Sequence, residues 1–585
     1  MSVSRTSILF LSFFAVLPST VFSTPTNNNQ TPALDKIKWQ NCTDPLLVKQ
    51  ATAPILCGNL TVPLDYTDTR SNKTHTISLV KVPALKQPAK GSIQFNFGGP
   101  GYAAKSGLVS QADVYHTHAF SITGGIYDLL AFDPRGVSAE LKIKCAPNNY
   151  TIGAIMASGG DMSVSDRDER IGWANSGTIG GICKYQGNGN KTAEYIGTVA
   201  MARDIKNVAE AVDADGLIRW WGYSYGTTIG STLAAMFPDK IDRMINDGIQ
   251  NPHQYYRDWH DSELWTLQDT VVYYFFTSCL AAGSKICPLA GAAQKAGRNA
   301  HDLFHLLVNL IEALNKEPLP LFKAGIKLDG MSLKGTIFDA TYDTLRWPAI
   351  GLGLIPVLLG TPSERLAMLE SMMGGDLPGS TAIAPSLGIA EANWGIHCGD
   401  RVPRTNNYTA IQASFKQLFN TSYFVGGLNG APNAVCAQWP WKAKEIYTGN
   451  FKAKTRHPIL ILSNALDGQT PMKSALNVSS GFEGSVILEN DGAGHAAFSA
   501  PGTCLGKHTL RYWVEGKLPD KGTVCKPDWG AWETKTWRDV FVRAEWNKGI
   551  FRRGEVKREM RIRDENLLSP REFVREVRDG EGIWR

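Results

Sequence analysis

Short apolar runs alternate with stretches of helical periodicity between residues 75 and 250. The runs lie at residues 77–82, 92–97, 127–132, 217–221 and 243–247. They have the length and the apolar, β-branched and aromatic content of strands that are buried on both faces. Because strands separated by helices pair in parallel, this region predicts an α/β fold whose mostly parallel sheet is flanked by helices.

The pattern changes after residue 250. Residues 251–450 contain long helical patterns, such as 264–282 and 293–314, and few strand signals. Strand-like runs return at residues 458–462 and 486–489. We therefore predict a core in two parts, 24–250 and 451–529, that is interrupted by a large helical lid insertion at 251–450.

Residues 1–23 differ from the rest of the chain. They combine Arg5, an apolar run at 8–17 and small residues before position 24, which is the pattern of a cleaved signal peptide. No other apolar run reaches the ~18 residues that a membrane-spanning helix needs. We expect a secreted, extracellular protein with no membrane span in its mature chain.

Residues 530–585 are unusually charged. The 55 residues from Ala531 contain 14 Lys or Arg and 11 Asp or Glu. Such a density of charge disfavours burial, so we expect a disordered or weakly helical tail, with residues 552–563 as a candidate solvated helix. An interaction arm is the alternative.

The overall composition is that of a globular protein. Hydrophobic residues make up 43% and charged residues 19% of the chain, which excludes a disordered protein. A net charge of +6 over 585 residues gives no basic footprint for nucleic acid, so we expect no nucleic-acid partner. The sequence does not indicate an oligomeric state.

The ten cysteines are even in number, and no two of them form a CxxC pair. In an oxidising compartment they would form disulfides, although spacing alone does not prove which cysteines pair. The simplest arrangement joins nearest neighbours, namely Cys42–Cys57, Cys145–Cys183, Cys279–Cys287, Cys398–Cys436 and Cys504–Cys525. Nine Asn-x-Ser/Thr sequons also favour secretion with glycosylation, at Asn29, Asn41, Asn59, Asn72, Asn149, Asn190, Asn407, Asn420 and Asn477.

The central chemical motif is GYSYG at residues 222–226, a GxSxG sequence around Ser224. A strand-like run precedes it, and a helical run of small residues follows at 227–237. Strand, sharp turn and helix are the context of a nucleophile elbow, in which flanking glycines allow a strained turn that projects the serine. The alternative is a Gly-Ser turn in a packed strand–helix junction.

A glycine pair follows the predicted strand at 92–97. Backbone N–H groups of Gly98 and Gly99 could turn towards Ser224 and, with the N–H group of Tyr225, form an oxyanion hole. A plain glycine-rich turn is the alternative interpretation of the pair.

His495 is the best candidate for the general base, because it lies on a loop of small residues after the strand at 486–489. The acid should follow the preceding strand, and Asp467 does. Ser224, Asp467 and His495 then occur in the order nucleophile, acid, base. Asp491 is the rival acid and His508 the rival base.

Other histidines have simpler explanations. His301 and His305 are four residues apart on a predicted helix, but no acidic ligand motif accompanies them, so we predict no metal site. His397 fits lid structure better than catalysis. Neither a P-loop nor a dinucleotide-binding fingerprint is present, and we predict no cofactor.

Together these motifs resemble a known family, the secreted α/β-hydrolases with a tripeptidyl-aminopeptidase-type carboxy-terminal domain, which are related to the proline iminopeptidases. The resemblance covers roughly residues 36–528. It rests on FGGPG at 97–101, DPRGV at 133–137, the elbow, IHCGD at 396–400, DGQTP at 467–471, GH at 494–495 and the segment 518–525. It implies an α/β-hydrolase fold, a helical lid and the triad named above.

Several positions depart from the family pattern. Phe97 stands where Pro or His usually precedes the glycines, YAA at 102–104 replaces a common Ser-Gly, and VSAE at 137–140 follows the DPRG motif in place of Gly-x-Ser. No triad member is lost. The departures concern substrate preference.

Three functions are compatible with the sequence. The first is an exopeptidase that releases short peptides or amino acids from free N-termini, for which a lid carboxylate, Glu391 or Asp400, would bind the substrate ammonium group. The second is an esterase acting on small or secondary-metabolite esters, with Trp394, Trp439 and Trp441 as candidate acyl-group contacts. The third is a non-catalytic binding protein on a hydrolase scaffold.

Overall fold

The computed structural model describes residues 37–116, 122–146, 158–321, 326–374, 387–542 and 568–579, together with Ile152 and Ile155. The predicted signal peptide, the tail segment 552–563 and the sequons at Asn29 and Asn149 lie outside these residues. The other seven sequon asparagines are exposed.

A ten-stranded sheet forms the centre of the protein, in the order β1-β2-β3-β5-β4-β6-β7-β10-β11-β12. The strands from β5 to β12 in that order pair in parallel, whereas β1, β2 and β3 pair antiparallel at one edge. The strands are β1 Gln40–Asn41, β2 Leu56–Pro63, β3 Thr74–Val82, β4 Ser92–Asn96, β5 Asp128–Phe132, β6 Ile218–Tyr223, β7 Ile241–Asp247, β10 Leu460–Leu466, β11 Val486–Ala493 and β12 Val524–Cys525; a separate hairpin holds β8 Leu319–Leu321 and β9 Ile326–Leu328.

All seven strands predicted from apolar runs are present, within a few residues of the expected ends. They were recognisable because helices cover both faces of the sheet; every residue of β4 and β6 is buried. Trp220 and Trp221 show this directly, since both are completely buried but belong to apolar clusters on opposite faces. Strand β2 was missed because it alternates buried and exposed positions and contains Gly58 and Asn59.

Helices cover the sheet and form the insertion. Their bounds are α1 Pro45–Gln50, α2 Ala104–Ser110, α3 Ala112–His116, α4 Asp166–Tyr185, α5 Gly189–Thr192, α6 Thr198–Val212, α7 Tyr225–Met236, α8 Pro252–Arg257, α9 Gln268–Ala282, α10 Pro288–Lys295, α11 Ala300–Lys316, α12 Gly330–Ala340, α13 Trp347–Leu359, α14 Pro362–Gly374, α15 Leu387–Asn393, α16 Tyr408–Phe419, α17 Gly430–Ala437, α18 Met472–Gly481, α19 Thr503–Glu515, α20 Trp537–Phe541 and α21 Pro570–Asp579. None of the helices in the described ranges is both long and apolar enough to cross a bilayer.

Helices α8 to α17 lie between β7 and β10, where the sequence predicts the lid. Helix α13 is strongly apolar and contains Pro356; six of its 13 residues are buried, whereas Leu352 is 54% exposed. The single helix expected at 293–314 is two helices, because Gly297 adopts a left-handed φ of 63° and Asn299 caps the start of α11.

The described parts of the charged tail contain two helices, α20 and α21, that pack on the core. Trp537 stacks on Phe498 with ring centroids 4.3 Å apart, and Phe573 of α21 is buried beside α9 and the ends of β10 and β11. The tail's charge content concealed the few apolar side chains that anchor it, which fall on one face of each short helix.

The five nearest-neighbour cysteine pairs are all joined as disulfides. Two of them fasten segments close to the predicted site. Cys398–Cys436 closes part of the insertion, and Cys504–Cys525 joins α19 to β12.

Candidate active site

Ser224 lies at a strained turn between β6 and α7. Its backbone has φ 53° and ψ −121°, a conformation that side-chain-bearing residues rarely adopt and that functional sites often retain. The turn needs its glycines, because a Cβ atom on Gly222 would lie 2.2 Å from the Gly226 carbonyl oxygen. The Ser224 N–H group donates to the carbonyl oxygen of Asp247 at 3.0 Å. This is the strand–turn–helix geometry of a nucleophile elbow.

The predicted oxyanion loop lies directly against the serine. A Cβ atom on Gly98 would be 2.8 Å from Ser224 Cβ and 3.3 Å from Ser224 Oγ. The N–H group of Gly98 donates to Asn96 Oδ1 at 2.9 Å, so Gly99 is the member of the glycine pair left to offer an oxyanion donor. Tyr225 is the first residue of α7, and N–H groups in the first turn of a helix have no acceptor within the helix.

Phe97 occupies the position before the glycines. Its ring stacks on Tyr223 with centroids 5.6 Å apart and an interplanar angle of 6°. It also packs against Gly107, where a Cβ atom would lie 2.5 Å from the ring. Phe97, which departs from the family pattern, therefore packs its aromatic ring against the residue that precedes Ser224.

Asp467 and His495 are in contact at the carboxyl ends of β10 and β11. His495 Nδ1 lies 3.2 Å from both carboxylate oxygens of Asp467. The carboxylate is completely buried, while 12% of the His495 side chain is exposed. One ring nitrogen is thus held by the acid, and the imidazole keeps an exposed edge.

Asp467 is held by three backbone amides and one hydroxyl. The N–H groups of Gln469, Thr470 and Ala496 donate to it at 2.7–2.9 Å, and the Thr470 hydroxyl donates at 2.6 Å. Burial by itself raises the pKa of Asp467, but His495 and these donors outweigh it and lower the pKa below its usual value. The carboxylate is therefore ionised at neutral pH and suited to orient His495.

Asp247 connects the serine turn to the histidine loop, and sequence analysis gave it no role. Its carboxylate accepts hydrogen bonds from the N–H groups of Ala497 at 2.6 Å and Phe498 at 3.2 Å. Burial raises its pKa to about 8, although the amides that it accepts from lower it. The only signal in the sequence was an acidic residue at the end of an apolar strand.

Two buried asparagines support the same loop. Asn464 donates to the carbonyl oxygens of Gly494 and Ala496, and Asn490 donates to Asn464 Oδ1 at 2.9 Å and to the carbonyl oxygens of Ala497 and Ala500. The conformation around His495 is therefore set by side chains from both strands.

The rival residues lie elsewhere. Asp491 Oδ1 accepts a hydrogen bond from the backbone N–H group of Arg571 at 2.8 Å. This carboxylate therefore binds the tail helix α21. His508 lies on α19 beside Cys504 and Cys525. These three residues form the one group of three possible metal ligands within the described ranges, but the two cysteines are joined to each other.

The insertion contacts His495, the predicted base, through Tyr342. The carbonyl oxygen of Tyr342 accepts from the His495 N–H group at 2.9 Å, and the two rings meet edge to face with centroids 5.2 Å apart. Thr341, one residue before, accepts hydrogen bonds from Gln268 and Gln469. These contacts fix the insertion over the Asp467–His495 pair.

The two predicted lid carboxylates are buried and already hold hydrogen bonds. Glu391 is 6% exposed, and its Oε1 accepts from the Cys145 N–H group at 2.8 Å. Burial raises the pKa of Glu391. Asp400 is completely buried and accepts from Thr198 and Tyr255.

The remaining predicted residues are parts of the packed structure. His397 stacks on Tyr255 at 4.5 Å and lies 3.1 Å from Asp261. His301 and His305 are neighbours on α11, with ring centroids 4.2 Å apart. The indoles considered as acyl contacts, Trp394, Trp439 and Trp441, are buried in the main apolar cluster.

Two family models match the chain. The model for the alpha/beta hydrolase fold matches residues 108–279, which include the Ser224 elbow, and the model for TAP-like protein matches residues 424–525, which include Asp467 and His495. The two matches flank much of the helical insertion.

Curated proteins of known name are similar over most of their length. Serine protease Hip1 of Mycobacterium tuberculosis is 26% identical over 502 residues, which cover 84% of this chain and 91% of that protein. Tripeptidyl aminopeptidase of Streptomyces lividans is 25% identical over 514 residues, covering 84% and 87%. Carboxylesterase B of M. tuberculosis is 25% identical over 526 residues, covering 85% and 92%.

Proposed function

Since this chain is an α/β-hydrolase with a TAP-like carboxy-terminal segment, we propose that it is a secreted serine exopeptidase that releases short peptides or amino acids from free N-termini. The observation that carries the proposal is the hydrogen-bonded Asp467–His495 pair, which follows adjacent parallel strands and is joined through Asp247 to the strained turn of Ser224.

The proposed reaction is acyl transfer in two steps. His495 accepts the proton of the Ser224 hydroxyl as the oxygen attacks the substrate carbonyl carbon, and Asp467 holds the imidazole tautomer and stabilises the cation that forms. The N–H groups of Gly99 and Tyr225 bind the oxyanion. His495 then gives its proton to the leaving amine, and a water molecule cleaves the acyl-enzyme by the same steps.

A peptide substrate is favoured by two relatives, one named a serine protease and the other a tripeptidyl aminopeptidase. Secretion is supported by the five disulfides and the amino-terminal sequence pattern. A relative named carboxylesterase B keeps an ester substrate as the second candidate. The non-catalytic alternative has less support, because all three triad residues are present and the acid and base are in contact.

Recognition of a free N-terminus calls for a carboxylate in the lid that pairs with the substrate ammonium group. Helix α15 packs on the oxyanion loop, since a Cβ atom on Gly101 would lie 2.7 Å from the Ile389 carbonyl oxygen, and Asn393 donates to the Pro100 carbonyl oxygen at 3.1 Å. Glu391 lies on this helix and remains our candidate for the ammonium group. Glu391→Gln should raise the KM of a free-amine substrate and leave that of an uncharged ester unchanged.

The substrate class is tested by comparing a tripeptide anilide that has a free amino terminus with its acetylated twin, in the wild type and in Ser224→Ala. The proposal expects turnover of the free-amine substrate only, and none by the variant. Equal cleavage of both peptides would exclude recognition of the amino terminus. Turnover of a simple aryl ester with neither peptide cleaved would establish the esterase instead.

A further inference from the structure

We propose that Asp400, on the insertion, is a positioning residue for the oxyanion hole, because it fixes Tyr225, the residue after the nucleophile, through Thr198. This rests on the proposed serine-hydrolase mechanism, in which the N–H group of Tyr225 binds the oxyanion. It gives Asp400 a role that differs from binding the substrate ammonium group.

Three groups on two residues, Thr198 of α6 and Tyr255 of α8, supply hydrogen bonds to the Asp400 carboxylate. The Thr198 N–H group lies 3.0 and 3.1 Å from its two oxygens, the Thr198 hydroxyl donates at 2.6 Å, and the Tyr255 hydroxyl donates at 2.9 Å. Thr198 is the first residue of the 15-residue helix α6, so the carboxylate also meets the positive end of the helix dipole. The fit is close, since a Cβ atom on Gly197 would lie 2.8 Å from Asp400 Oδ1.

The direction of the hydrogen bonds follows from the number of protons available. A threonine hydroxyl has one proton, and that of Thr198 is used at Asp400. When Asp400 is ionised, the Tyr225 hydroxyl, 2.7 Å from Thr198 Oγ1, is therefore the donor in that contact. A directed chain runs from Tyr225 through Thr198 to the carboxylate.

The Tyr225 ring is held by a neighbouring ring as well as at its hydroxyl. Its centroid lies 5.7 Å from that of Tyr255, which donates to Asp400 and stacks on His397. Tyr225 is 1% exposed. With the side chain fixed at both places, the backbone of Tyr225 has little freedom, and a small displacement of an oxyanion donor is costly to catalysis.

A substrate ammonium group has no access to this carboxylate. Asp400 is completely buried, and both of its oxygens already accept hydrogen bonds. The nearby cations have other partners: Arg401 pairs with Asp261, and Arg404 donates to the carbonyl oxygens of Cys398 and Trp439. A buried carboxylate is costly to maintain, and positioning of the catalytic loop gives a reason for its presence.

The test compares Thr198→Val, Tyr225→Phe and Asp400→Asn with the wild type, using whichever substrate the wild type cleaves and Ser224→Ala does not. This choice makes the result independent of whether the substrate is a peptide or an ester. We expect kcat to fall at least about 10-fold in each variant, a part of the 10²–10³-fold that an oxyanion donor contributes, while KM stays within about twofold. Affinity for an aldehyde analogue of the acyl group, which forms a tetrahedral adduct on serine, should fall in parallel with kcat.

Two further variants separate positioning from loss of structure. Thr198→Ser keeps the hydroxyl and should retain most of the wild-type kcat. Tyr408→Phe removes a different, partly buried contact between a tyrosine hydroxyl and a carboxylate, the 2.8 Å hydrogen bond to Glu169, and should leave kcat unchanged. Wild-type kcat in Thr198→Val and Tyr225→Phe would overturn the proposal. So would an equal loss in Thr198→Ser, or a loss of kcat without weaker aldehyde binding.

Discussion

The carboxylate of Asp247 accepts a hydrogen bond from the N–H group of Ala497, 2.6 Å away and two residues after His495. The carbonyl oxygen of the same residue accepts from the N–H group of Ser224 at 3.0 Å. One residue at the end of β7 therefore fixes both the turn that carries Ser224 and the loop that carries His495. In the proposed mechanism, Asp247 aligns Ser224 and His495 and takes no part in the reaction itself.

Asp247→Ala should reduce both activity and stability. The change leaves the N–H groups of Ala497 and Phe498 buried without their acceptor, at a cost of about 1–3 kcal/mol for each. The free energy of unfolding and kcat, measured on the same preparation, check this. Asp239→Ala is the control, because Asp239 is exposed and its loss should change neither quantity. Wild-type kcat in Asp247→Ala would contradict the role given to this residue.

Asp247 should also make stability depend on pH. Its pKa is raised by burial to about 8, whereas an unfolded Asp titrates near 3.9. Between about pH 4 and pH 8 the folded chain thus keeps a proton that the unfolded chain has lost, so stability from this residue falls as pH rises. In denaturant titrations from pH 4 to pH 9, the free energy of unfolding should decline less in Asp247→Asn than in the wild type. Burial also raises the pKa of Asp400, to about 7. Asp400 therefore makes stability fall with rising pH in both the wild type and Asp247→Asn.

Asp467→Asn should lower kcat by about 10³–10⁴-fold, because the amide presents the wrong hydrogen-bonding partner to the imidazole of His495. KM should change little, because the carboxylate is completely buried and does not reach the substrate. Asp491→Asn is the matched comparison, since its carboxylate accepts from the tail helix at Arg571. If Asp491→Asn were the inactive variant and Asp467→Asn the active one, the acid would be wrongly assigned.

Gly98→Ala should abolish most activity. The added Cβ atom would lie 2.8 Å from Ser224 Cβ and 2.9 Å from the Tyr223 carbonyl oxygen, at a φ of 90° that disfavours alanine. Gly181→Ala provides the control: it lies within α4, its Cβ atom would meet nothing within 4 Å, and alanine favours a helix. We expect Gly181→Ala to be fully active and at least as stable as the wild type. Active-site titration distinguishes a damaged site from a smaller folded fraction.

The sequence was most informative where a residue's role is local. The turn at Ser224 could be predicted from the GxSxG spacing, because a Cβ atom on Gly222 or Gly226 would clash with nearby backbone. Buried strands are recognisable as continuous apolar runs. The loops that follow parallel strands all lie at the carboxyl edge of the sheet. The positions of Asp467 and His495 could therefore be predicted from chain order after two strands, without knowledge of the contacts between them.

Roles that depend on distant partners could not be predicted in this way. Asp400 is an acidic residue in a helical segment, and nothing in its neighbourhood in sequence shows that Thr198, 202 residues away, donates to it. Asp247 depends on a loop 250 residues later. The burial of Phe573 in the tail could not be predicted either, because it depends on contacts with α9 and the sheet and not on its charged neighbours in sequence.

The central claim is that Ser224 is a nucleophile activated by His495, and covalent labelling with a fluorophosphonate tests it most directly. Peptide mapping of the labelled wild-type protein should place one adduct on Ser224. Labelling should be absent in Ser224→Ala and at least about 10²-fold slower in His495→Ala, because the base that removes the hydroxyl proton is missing. An adduct on another residue, or unchanged labelling of Ser224 in His495→Ala, would contradict the account.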